Sequence, residues 1–187
     1  MRLKLLLLDF DGTLASTERA NTEAYIEALA EEGITLSEQE YRAKYFGMRC
    51  SEFMADLGIT DPVRAERVRR RKIEIYPSHF ESVHLNEPLW NFARDFRKQG
   101  GKVWVVSTGH PDNLLNAMRY LGIDDQIDGL LSSEDVEHPK PAPDAFLKAM
   151  EIEGVTPAET LIFEDSDVGL RAAEASGAAY VKVTLDY

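Results

Sequence analysis

Leu5-Leu6-Leu7-Leu8 is an unbroken apolar run that Asp9 and Asp11 stop at once. A strand with one wet face alternates apolar and polar residues. A run that is apolar at every position is buried on both faces, as in a parallel sheet covered by helices. The stretch is too short for a signal-peptide apolar region or a membrane span. The β-type runs are residues 3–8, 102–107, 160–163 and 180–183, with a weaker one at 129–132. Strand alternating with helix predicts an α/β fold with a Rossmann-like parallel sheet core.

The helices between these runs are well punctuated. Pro88, Pro111 and Pro143 stand in first turns, and Gly100-Gly101 and Gly122 stand after last turns. Leu89, Phe92, Ala93 and Phe96 share one helical face; Leu114, Leu115, Met118 and Leu121 share another; Phe146, Leu147 and Met150 a third. A last helix over 167–176 is closed by Gly177. Trp104 belongs to the core, whereas Trp90 is expected to be partly exposed.

Residues 16–85 read differently, with helices and no strand signal. One helix runs to Glu32 and ends at Gly33. Ser37-Glu38-Gln39-Glu40 is a capping box opening a second, which stops at Gly47. A short third helix covers 51–57. Asp61-Pro62 caps a long fourth that ends near Pro77. The expected organisation is a core of residues 1–15 and 86–187 carrying an inserted all-helical cap domain, 16–85. Such an insertion follows the carboxyl end of strand one, the edge at which open α/β sheets bind ligands.

Charge narrows the partners. With 21 basic and 33 acidic residues the chain carries −12, which argues against nucleic acid and acidic membrane surfaces as partners. The single cysteine, Cys50, excludes an internal disulfide and any cysteine-rich metal cage, and fits a reducing, cytoplasmic setting.

Two aspartates at i and i+2 end strand one, in Asp9-Phe10-Asp11-Gly12-Thr13, and Glu164-Asp165 ends a second apolar strand. Four carboxylates at one sheet edge repel each other unless a cation joins them. Oxygen-only ligands select Mg²⁺, which keeps positions open for water and a phosphate oxygen. Ser107 ends a third strand with a hydroxyl. Lys140 is a cation held in a stiff loop by Pro139, Pro141 and Pro143.

In that order these features resemble the haloacid dehalogenase (HAD) superfamily of phosphohydrolases, over nearly the whole chain. The likeness is greatest to the subgroup with a helical cap after the first motif, which includes β-phosphoglucomutase-like and phosphoglycolate-phosphatase-like enzymes. The resemblance implies that Asp9 is the nucleophile and Asp11 the general acid and base. It implies Ser107 as a phosphoryl-oxygen donor and Lys140 as the cation offsetting charge on nucleophile and phosphate. Mg²⁺ is implied on the Asp9 carboxylate, the Asp11 backbone carbonyl and Asp165, with Glu164 supporting that shell. Backbone N–H groups around Phe10, Thr108 and Gly109 are expected to complete the phosphate cradle. The implied activity is hydrolysis of a small phosphorylated metabolite through an aspartyl phosphate. Two departures, Pro139 before Lys140 and Thr-Gly-His after Ser107, remove no reacting group.

The resemblance also makes the helical block a lid hinged near 14–17 and 83–88. Arg49 and Lys72 are its candidate substrate contacts, Lys72 within the basic run Arg69-Arg70-Arg71-Lys72. Asn21 stands where β-phosphoglucomutases carry a histidine, which weighs against the alternative of a phosphosugar mutase. A phosphoaspartate receiver module is disfavoured by the 70-residue insert and by the absence of an aspartate ending the 102–107 strand. The short stretch after the fifth strand is expected to leave a sheet edge open, compatible with a monomer or a homodimer.

Overall fold

A computed structural model describes residues 2–48 and 50–185. In chain order the elements are β1 (Leu5–Leu8), β2 (Ala15–Ser16), α1 (Glu18–Glu31), α2 (Glu38–Glu40), α3 (Cys50–Asp56), α4 (Pro62–Ile75), β3 (His84–Leu85), α5 (Glu87–Lys98), β4 (Lys102–Val106), α6 (Pro111–Leu121), β5 (Gly129–Leu131), α7 (Asp144–Glu153), β6 (Thr160–Glu164), α8 (Asp167–Ser176) and β7 (Ala179–Lys182). The chain divides into two units, one of Met1–Ser16 with His84–Tyr187, the other Thr17–Val83. Among the described residues no helix is long and apolar enough to cross a membrane.

In the first unit five parallel strands take the order β5-β4-β1-β6-β7. The strand order reverses at β1, which is flanked by β4 and β6. The carboxyl ends of these three strands therefore frame the crevice such sheets use for ligands. All four leucines of β1 are fully buried. Leu5 and Leu7 pack with Trp104, Val106 and Ile162 on Phe146 and Met150 of α7 and Ala172 and Ala173 of α8. At about 1.5–3 kcal/mol per buried leucine, the run rivals the ~5–15 kcal/mol net stability of a whole domain. The strand that delivers Asp9 is thus anchored by its own burial. β2 and β3 pair antiparallel, Ala15 with Leu85 and Ser16 with His84, where the chain leaves and re-enters this unit.

Several expectations are corrected. Trp90 is buried, at 4% exposure, and Phe92 is 47% exposed. The buried stripe of α5 is Leu89, Trp90 and Ala93, so Phe92 falls at its margin, its ring 5.9 Å from that of Phe163. Leu147 on α7 is likewise exposed. Gly129 carries no Cβ because the Trp104 ring occupies that space, and the Trp104 indole N–H donates to Glu153 at 2.7 Å. β7 is exposed along its length and, among the described residues, pairs with β6 alone.

Asp128 ties the start of β4 down, accepting from the Val103 N–H at 3.0 Å, from Lys102 at 3.1 Å and from Arg97 at 3.0 Å. Burial alone would raise this carboxyl, but those three donors outweigh it and hold it below the usual carboxylate range. A depressed folded value means the contribution to stability is complete above the unfolded value, ~4 for aspartate. It is lost as pH falls through the folded value. Asp128→Asn should lower the thermal midpoint at pH 7, and the gap to the parent protein should close in scans below about pH 4.

In the second unit α1 packs against α4. An aromatic cluster joins half-buried Tyr25 to buried Tyr41, Tyr45 and Phe53, with ring centroids 4.7–5.6 Å apart. The second expected helix is not one regular helix. Ser37 Oγ accepts from Glu40 N–H at 3.2 Å, but α2 lasts three residues and widens into a π turn over Tyr41–Tyr45. The wider turn brings Tyr41 and Tyr45, both buried, onto Phe53 together. The Asp61 side chain caps α4 by accepting from Val63 N–H at 3.0 Å, and the helix tightens into a 3₁₀ turn at Tyr76–Ser82.

The basic run does not act as one patch. Arg69 and Arg70 both pair with Glu66, and Arg71 pairs with Glu31 and Glu74. Lys72 turns inward, 2% exposed. His79 lies in the 3₁₀ turn between Glu23 and Glu27, at 3.1 and 3.3 Å.

Candidate active site

The turn after β1 is tightly closed. Leu14 N–H donates to the carbonyl of Asp9 at 3.2 Å, Ala15 N–H to that of Phe10 at 2.9 Å, and Gly12 N–H to that of Ala15 at 2.8 Å. Gly12 has φ +88°, a conformation that favours glycine, and a Cβ there would overlap the Asp165 carboxylate. This close approach brings the ends of β1 and β6 together. Thr13 Oγ1 donates to Asp165 Oδ1 at 2.7 Å, so the motif's threonine orients a carboxylate 152 residues away.

Lys140 is the electrostatic centre of the site. Its buried Nζ donates to Asp9 Oδ1 at 2.7 Å, to Glu164 Oε2 at 2.6 Å and to the Val106 carbonyl at 3.0 Å. Burial alone would depress this ammonium, but the charges of Asp9 and Glu164 outweigh it and hold it above its ordinary value. Burial pushes the Asp9 carboxyl well above the usual range, the Glu164 charge pushes the same way, and Lys140 offsets only part. Asp165 is also raised, by burial first, against the bond from Thr13.

Glu164 is held on every side. Oε1 accepts from the N–H groups of Asp165 and Ser166, both at 3.1 Å, and from Ser166 Oγ at 2.9 Å. Ser166 in turn caps α8, accepting from Gly169 N–H at 3.0 Å. A carboxylate at the start of a helix is favoured by the exposed N–H groups there.

Carboxylate oxygens of Asp9, Glu164 and Asp165 lie within 4.8 Å of one another. The donor set is all oxygen, and three carboxylates, once ionised, outnumber the single Lys140 ammonium beside them, which suits a hard divalent cation. The side chain of Asp11 is not in that trio. Ser107 Oγ donates to Asp11 Oδ2 at 3.5 Å and accepts from Gly109 N–H at 3.0 Å. Ser107 N–H donates to the Leu131 carbonyl and Ser133 N–H to the Gly109 carbonyl, at 2.9 and 3.1 Å. The loop carrying Ser107, Thr108 and Gly109 is thereby tied to the loop after β5, with Thr108 exposed.

Asp9, Asp11, Ser107, Lys140, Glu164 and Asp165 thus converge at one sheet edge. Arg49 lies outside the described residues. Lys72 belongs to the helical unit, where Nζ donates to Asn21 Oδ1 at 2.7 Å and lies 3.8 Å from the centre of the Tyr76 ring. Sequence reasoning assigned no part to Thr13, Ser166 or Gly169. Thr13 was in view within the motif. A serine before a helical run was a legible cap for Ser166. Gly169 shows only as a glycine inside a helical pattern.

The family model described as haloacid dehalogenase-like hydrolase matches residues 6–183. The fructose-1-phosphate phosphatase YqaB of Escherichia coli (strain K12) is 30% identical, over 96% of this chain and 96% of its own length. The protein CbbY of Rhodobacter capsulatus is also 30% identical, over 100% of this chain and 88% of its own. A crystal structure of CbbY from Rhodobacter sphaeroides in complex with phosphate superposes with a TM-score of 0.88 at 24% identity, covering 98% of this chain and 87% of that one. That last likeness is one of fold.

Proposed function

The chain belongs to the haloacid dehalogenase-like hydrolase family, and from that premise we propose that it is a Mg²⁺-dependent phosphatase of small phosphorylated metabolites. The observation that carries the reading is the buried Lys140 ammonium bound at once to Asp9 and Glu164, beside Asp165. An anionic nucleophile approaching an anionic phosphoryl group needs its repulsion cancelled by fixed positive charge.

An oxygen of the ionised Asp9 carboxylate attacks phosphorus, and the bond from phosphorus to the ester oxygen breaks. Asp11, protonated, gives its proton to that leaving oxygen. A water then attacks the aspartyl phosphate, Asp11 takes its proton, and the bond from phosphorus to Asp9 breaks, releasing inorganic phosphate. Ser107 donates its hydroxyl hydrogen to a phosphoryl oxygen, and Lys140 offsets charge on Asp9 and the transferred group. Asp9, Asp165 and the Asp11 carbonyl would hold the cation, with Glu164 in support. Bound there, Mg²⁺ supplies charge neutralisation and favours the ionised carboxylates that burial opposes.

The name of the Escherichia coli relative makes sugar phosphates the first substrates to assay. A panel of phosphorylated metabolites scored by released phosphate tests the reading. EDTA should reduce release to background, and Mg²⁺ should restore it. Activity indifferent to chelation would remove the cation from the mechanism.

A further inference from the structure

Gly169 is the third residue of α8, where glycine costs about 1 kcal/mol relative to alanine. No special backbone conformation demands it, since its φ is not positive. Its N–H bond to Ser166 Oγ is one that any residue with an N–H makes at that position. What demands glycine is space. A Cβ placed there would overlap Cδ, Oε1 and Oε2 of Glu164.

Carboxylates at the end of a flexible side chain ordinarily swing aside. This one is held by the Asp165 and Ser166 N–H groups, by Ser166 Oγ and by Lys140, and it is 1% exposed. The Lys140 ammonium that binds it also binds Asp9 Oδ1 at 2.7 Å. Contacts therefore run unbroken from Gly169 through Glu164 and Lys140 to Asp9.

We propose that Gly169 is a positioning residue for phosphoryl transfer: the space left by its missing side chain seats the Glu164 carboxylate, which holds Lys140 against Asp9. The inference rests on Asp9 being the nucleophile. Gly169 touches no reacting atom. It acts by excluding the atoms that would push Glu164, and Lys140 with it, off the nucleophile.

The test compares the parent protein with G169A, E164D and G169A/E164D, using p-nitrophenyl phosphate at saturating Mg²⁺. Displacing a charged group by about 1 Å costs on the order of 10²-fold in rate, so G169A should lose about that factor in kcat, with KM held within about threefold. E164D draws the carboxylate back by one methylene and makes room for the added methyl. Introducing G169A into E164D should therefore cost less than about threefold, a coupling that independent sites do not show. A merely structural glycine would cost the same in both backgrounds, and that result, or a G169A kcat within about twofold of the parent, overturns the proposal. Should G169A not fold, recovery of folding in G169A/E164D supports the seat, and failure of both variants rejects it. A crystal structure of G169A separates this inference from the functional reading. If the parent turns over no phosphate ester, the reading fails. The seat is still judged by whether the bond between Lys140 Nζ and Asp9 survives, and an unmoved Lys140 overturns it.

Discussion

Asp9→Asn is expected to cut turnover of p-nitrophenyl phosphate by on the order of 10⁴-fold or more, with the fold intact. The amide has the shape of the carboxylate but no anionic oxygen to form the bond to phosphorus. The structure gives the reason for expecting no collapse. Lys140 keeps Glu164 Oε2 at 2.6 Å and the Val106 carbonyl at 3.0 Å. The change also removes a charge whose burial is itself unfavourable, since the Asp9 carboxyl is raised by that burial. The thermal midpoint should therefore stay level or rise while activity is lost. Turnover at the parent rate would reject the nucleophile assignment. Lost turnover with a collapsed far-UV spectrum would show that Asp9 is needed for folding instead.

Lys140→Met is expected to damage stability as well as rate. Breaking a buried ion set by removing one partner costs about 3–5 kcal/mol, because it leaves buried charge uncompensated. Here it leaves two carboxylates, with the Asp9, Glu164 and Lys140 side chains all under 10% exposed, so solvent screens little of the effect. The pH dependence has a definite sign. In the parent, Lys140 is raised by its partners, so its contribution is complete below the unfolded lysine value of ~10.4 and disappears only above the folded one. In the variant, the Asp9 carboxyl, which burial already raises, loses the ammonium that offset part of that burial and keeps its proton to higher pH than it does unfolded. Stability then falls as pH rises from about 4. Urea unfolding should show a larger deficit at pH 8 than at pH 5. A midpoint equal to the parent's at both values would mean that the ammonium does not balance these charges. Turnover should fall about 10²–10³-fold, as when one electrostatic donor to a transition state is lost.

Much of the site was legible because its parts are short and local. The run Leu5–Leu8 is apolar at every position, so it must be a central strand, and Asp9 must emerge at its end. Lys140 stood out as the cation between prolines, and Glu164-Asp165 as acids closing an apolar run. Interactions across long separations were not legible. No local pattern pairs Thr13 with Asp165 or matches Gly169 to Glu164. Trp90 was misjudged because helical spacing marks a stripe but does not say how wide it is. The buried stripe of α5 is Leu89, Trp90 and Ala93, and Phe92 stays half exposed at its margin. The run 69–72 is basic at every position, yet successive helical residues point some 100° apart. Three of them meet glutamates, and the fourth meets Asn21 and Tyr76.

The amino-acid order alone determined that this chain forms a parallel α/β sheet interrupted by helices, and that its acids, hydroxyl and lysine stand at strand ends or in loops. Periodicity and residue type are local properties, and hydrophobic burial acts on them directly. The tertiary structure decided which oxygen each donor meets, which charge goes uncompensated and where a single methyl would not fit. Those depend on distances of a few ångströms between segments more than a hundred residues apart in the chain, and electrostatic and steric energies change steeply over such lengths.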